Sequence, residues 1–147
     1  MLWAVVSTPV QKVMRSEGYG TFFRACISGD TIRFVGYSFV DDTDLIQSAS
    51  NHTDSSMTVA ENMQRALDTW EGALRATGGA IVPDKSFWYL IGFQWTEGKW
   101  QYKDEQMAPA SLSVNNCNGQ RMQLERLLPH VARRTLGVWL APDGNNK

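Results

Sequence analysis

An apolar stripe at helical spacing runs through the middle of the chain: Val59, Met63, Ala66, Leu67, Trp70 and Leu74. Steps of three and four put these side chains on one side of a helix. Thr58 followed by Glu61 is a capping-box pattern, and Gly78-Gly79 offers the left-handed stop that ends helices. The predicted helix therefore spans Thr58 to Thr77, and its stripe has to be covered by other segments. Those segments are mostly β-prone.

Before this helix, Leu2 to Glu17 has apolar residues near helical spacing and predicts a short helix interrupted by Pro9. Phe22 to Ile27 and Thr31 to Val35 read as strands around the turn Ser28-Gly29-Asp30. Gly36 allows a bend, and Tyr37 to Val40 continues extended towards a partner strand at Thr43 to Ser48. After the helix, "FWYLIGFQW" and "KWQYK" flank the turn "TEG". Ser111 to Val114, Gln120 to Leu128 and Thr135 to Leu140 add further strand candidates, the first two separated by the turn-rich "NNCNG". The order of helix, hairpins, long helix and strands predicts an α+β fold, an antiparallel sheet with helices on one face. With 147 residues, one domain with a real core is expected.

A net charge of −1 gives no overall signal for nucleic acid or for an anionic membrane. No apolar run approaches the ~20 residues needed to span a bilayer. Cys26 and Cys117 are far apart, with no metal-ligand spacing, and read as reduced thiols of an intracellular protein.

The chemistry centres on "VGYSFVDDTDLIQ", Val35 to Gln47, where Asp41 and Asp42 interrupt β-prone residues. Aspartate is a common turn residue, so a hairpin tip accounts for the geometry. Two adjacent carboxylates nevertheless repel each other and resist burial. A divalent cation offsets both penalties. Mg²⁺ fits best, because one or two carboxylates hold it while substrate phosphates and water supply the other oxygens.

Phe39-Val40-Asp41-Asp42 resembles the F/Y-x-D-D signature of reverse transcriptases, and other segments fall in order around it. "WAVVSTPV" (Trp3 to Val10) resembles the second half of the helical motif before the hairpin. The helix after the hairpin occupies the place of a palm helix. "GGAIVPDKS" (Gly78 to Ser86) resembles the motif in which a glycine turn leads to a lysine. Thr135-Leu136-Gly137-Val138 resembles the later "LG" hairpin of retroelement polymerases. The resemblance implies a partial retrotransposon-type reverse transcriptase domain, with palm motifs over residues 1–93 and a β-rich extension towards the thumb over 94–147. In fold it implies a partial polymerase palm with additional β-hairpins.

Carried over residue by residue, the resemblance implies that Asp41 and Asp42 hold the catalytic Mg²⁺, with Mn²⁺ as a substitute. Lys85 would serve the phosphates and the leaving pyrophosphate, and Phe39 and Val40 would line the nucleotide and primer site. The implied partners are an RNA template, a DNA primer and a deoxynucleotide, with no membrane. The family also uses an aspartate on an earlier palm strand, and fingers, for which this sequence has no match. The isolated chain is therefore expected not to polymerise DNA without that N-terminal half.

Asp44 has no role in the motif and reads as a solvated charge. Trp88, Trp95, Trp100 and Trp139 are expected to pack sheet faces, with base stacking as the other option. A nucleotide cyclase would also carry carboxylates on a hairpin, but the sequence has no convincing nucleotide-binding glycine motif. The alternative from a non-enzyme class is a retroelement remnant or an interaction module with exposed tryptophans.

Overall fold

The computed structural model describes residues 2–39, 42–51, 53–135 and 137–144, with backbone alone for residues 2–4. The class is α+β, two α-helices with short, mostly antiparallel strand pairs. Helix α1 covers Leu2–Ser16 and stays helical through Pro9, which is exposed. A proline there cannot donate to the carbonyl four residues back. That carbonyl belongs to Val5, whose own surface is 68% exposed, so water can replace the missing donor.

Helix α2 covers Ser56–Ala76 and begins two residues before the predicted span. Ser55, not Thr58, is the cap: its hydroxyl accepts the Thr58 backbone N–H at 3.1 Å and lies 3.0 Å from the Thr58 hydroxyl. Thr58 is thus the third helical residue. At the other end Gly78 N–H donates to the Arg75 carbonyl and Gly79 N–H to the Leu74 carbonyl. This is the paired closure of a Schellman motif, with Gly78 at φ +84° as the left-handed residue.

The strands pair two by two among the described residues. β1 (Thr21–Arg24) and β2 (Thr31–Phe34) form one hairpin; β3 (Gly36–Phe39) and β4 (Asp42–Leu45) form the next. A single buried residue, Val35, separates β2 from β3. β5 (Phe87–Tyr89) precedes the hairpin of β6 (Phe93–Thr96) and β7 (Lys99–Tyr102). The β6–β7 turn, Glu97-Gly98, has φ +51° and +77°, the primed geometry that matches strand twist. β8 (Ser113–Asn115) pairs with β9 (Arg121–Gln123), and β11 (Arg133–Thr135) pairs with β12 (Val138–Leu140). β10 (Glu125–Leu127) instead runs parallel to β5. Leu136, of the expected "LG" hairpin, lies outside the described residues.

Helix α2 sits between two cores. On one side Ala66 and Trp70 pack with Val10 and Met14 of α1 and with Val35. On the other, Leu67 packs with Trp88, Leu112, Val114 and Leu124. Leu45, at the end of β4, and Ile81, four residues before Lys85, touch both cores. The base of the aspartate hairpin and the approach to Lys85 are therefore anchored on the same helix.

Candidate functional site

The β3–β4 ladder pairs Phe39 with Asp42, Ser38 with Thr43, Tyr37 with Asp44 and Gly36 with Leu45. Directly opposed residues share a face, and faces alternate along a strand. Leu45 turns one face to the core, with Ser38 and Thr43 joined on it by a hydroxyl–hydroxyl contact of 3.0 Å. The other face carries Tyr37, Phe39, Asp42 and Asp44. Phe39 is 62% exposed and Asp42 is exposed. Val40 and Asp41, which lie between the paired Phe39 and Asp42, are outside the described residues.

Gly36 makes the base of this hairpin possible. A Cβ there would fall 2.0 Å from the Asp44 carbonyl oxygen, well inside any real contact. The close strand approach at Gly36 replaces the bend that its sequence position suggested.

Asp44 is not the solvated charge expected from the sequence. It is half-buried and stands directly opposite Tyr37 in the ladder. Burial first, and then the neighbouring Asp44 carboxylate, push the Tyr37 hydroxyl above its ordinary value of 10.0. The register held the signal for the pair: counting back from a two-residue loop sets residue 37 opposite 44.

Asp42 makes no ion pair among the described residues, which leaves its carboxylate available. The described residues contain no cluster of three or more metal-ligating side chains; Asp41 is not among them. Lys85 ends the 3-10 turn Pro83–Lys85, is exposed, and likewise makes no ion pair among the described residues. No hydrogen bond or ion pair among the described residues joins Lys85 to the hairpin. The structure therefore brings Phe39 and Asp42 together, and ties Lys85 to them only through the shared cores.

Of the four tryptophans expected to pack sheet faces, Trp88 is buried, with its indole N–H 3.4 Å from the Leu124 carbonyl. Trp95, Trp100 and Trp139 are 60%, 67% and 53% exposed. Trp95 and Trp100 oppose each other edge to face across β6–β7, their centroids 5.3 Å apart. Among the described residues, the strands they sit on pair only in twos.

Compared with known proteins, the chain matches no family profile, no curated protein and no solved structure. No helix among the described residues is long and apolar enough to cross a membrane.

Proposed function

We propose that this chain is part of an RNA-directed DNA polymerase, a reverse transcriptase of retrotransposon type. The observation that carries the reading is the doubled aspartate on a hairpin whose register pairs Phe39 with Asp42. The donor chemistry fits: Asp42 is a hard oxygen ligand at an exposed position, with no ion-pair partner among the described residues. Asp41 and Asp42 would hold Mg²⁺, which when bound activates the attacking and leaving oxygens of nucleotidyl transfer.

The remaining roles belong to the chain's own groups. Phe39, exposed beside Asp42, supplies an apolar floor for the nucleotide or the primer end, together with Val40. Lys85, an exposed ammonium, neutralises the charge that grows on the departing pyrophosphate and gives it a proton. Asp44 stands opposite Tyr37 and has no role in the motif, so it is left out of the metal set. The RNA template, DNA primer and deoxynucleotide are the partners of the full polymerase.

The chain alone is expected to be inactive, since positioning of the template and a further metal-binding aspartate are each worth several kcal/mol of barrier. The test is primer extension in Mg²⁺ or Mn²⁺, with the chain alone and joined to fingers and a palm strand bearing that aspartate. Extension only by the joined protein, abolished by Asp41→Asn, is the expected result. Extension that survives Asp41→Asn rejects the assignment.

A second reading, a non-catalytic interaction module, is favoured by the exposed Trp95–Trp100 pair. Absence of any Mg²⁺ binding would select it over the polymerase.

A further inference from the structure

The β1–β2 hairpin carries a face of aromatic and basic side chains. Phe22 lies opposite Arg33, and Arg24 opposite Thr31, so these four side chains share one face. The Arg33 guanidinium sits 4.3 Å above the Phe22 ring and donates to the Arg15 carbonyl at the end of α1, at 3.1 Å. Phe22 is 52% exposed, and Arg24 and Arg15 are exposed.

None of these three arginines makes an ion pair among the described residues. Residues 1–35 hold four cations (Lys12, Arg15, Arg24 and Arg33) against two anions, Glu17 and Asp30, in a chain whose net charge is −1. Residues 1–35 therefore carry a net positive charge. Val35 links the hairpin directly to β3, which leads to the aspartates.

We infer that this face binds single-stranded nucleic acid. An aromatic ring under a guanidinium presents a flat cationic surface on which a base can stack. The guanidinium of Arg24, two residues along the same strand face, is placed for an adjacent phosphate, which planar guanidinium recognises in bidentate fashion. An acidic peptide would use the charges but not the stacked ring. The inference rests on the polymerase reading for its choice of anion, and on the hairpin alone for its location.

The test is fluorescence anisotropy of a labelled twelve-residue oligothymidylate with the full chain across a salt series. Binding is expected to weaken about tenfold in Phe22→Ala, within the range for loss of one stacked base. Arg24→Gln is expected to reduce the salt slope by about 0.7, the value for one phosphate contact to a single strand. Thr31→Glu, which adds a carboxylate to the same face, should weaken binding as well, with circular dichroism checking that each variant folds. No binding at low salt, or binding unchanged in all three variants, overturns the inference. So does equal competition by inorganic polyphosphate, which has charge without bases, or a preference for phosphatidylserine vesicles. Absence of saturable Mg²⁺ binding by the chain, with oligonucleotide binding intact and weakened by Phe22→Ala, defeats the polymerase reading without touching this one.

Discussion

Gly36 and Tyr37 fix the hairpin that carries the aspartates, each by a different physical means. At Gly36 the two strands come so close that a Cβ would meet the Asp44 carbonyl. Gly36→Ala is therefore expected to cost about 2 kcal/mol, in the range for overpacking a tight site, measured by urea unfolding. Tyr37 holds its proton above the ordinary tyrosine value because burial disfavours the phenolate and, next, because ionisation would place a second negative charge beside Asp44. The folded-state value is raised, so the stability this adds is complete below the unfolded value near 10 and is lost as pH climbs through the folded one. Tyr89 is raised as well, by burial first, with Arg133 opposing and Glu125 reinforcing. Absorbance titration of tyrosinate should show a late component above pH 10 that shrinks in Tyr37→Phe. A component unchanged by that substitution contradicts the Tyr37–Asp44 pairing. The sequence made the hairpin legible, because Asp-Asp between extended runs marks a turn. Asp44 was misread there because charge alone does not show which residue faces it across a ladder.

Helix α2 shows the same division at the scale of elements. Its apolar stripe was legible, and Ala66, Leu67, Trp70 and Leu74 are buried as the spacing predicts. Its polar side was not. Glu71, only 4% exposed, accepts the Asn115 backbone and side-chain N–H groups at 3.1 and 2.9 Å and pairs with Arg75 at 3.0 Å. Gln64 both accepts from and donates to the Ser113 backbone at 2.9 Å, bonding the edge of β8 that faces away from β9. Periodicity separates apolar from polar positions but does not reveal that a distant hairpin will cover the polar ones. Glu71→Ala is expected to destabilise the chain by about 2–3 kcal/mol, since it strands buried donors. A loss under 0.5 kcal/mol in denaturant unfolding would show that water replaces the carboxylate, as at ordinary surface positions.

Across the whole molecule, α2 between two cores is what makes one body of many short hairpins. The α+β class followed from element order, but the parallel β5–β10 pair did not. Its strands lie far apart in sequence, with other hairpins between them, and no local pattern specifies such a partner. The exposure of Trp95, Trp100 and Trp139 entered only with the alternative reading, because aromatic composition does not tell a covered sheet face from an open one. The functional account depends on the hairpin as a metal ligand. Calorimetric titration with Mg²⁺ and Mn²⁺ tests it most directly, on the whole chain and on Asp41→Asn and Asp42→Asn. The account predicts saturable binding by the chain, weakened at least tenfold in either variant with folding intact. Absence of saturable binding, or binding that both variants retain, would contradict it.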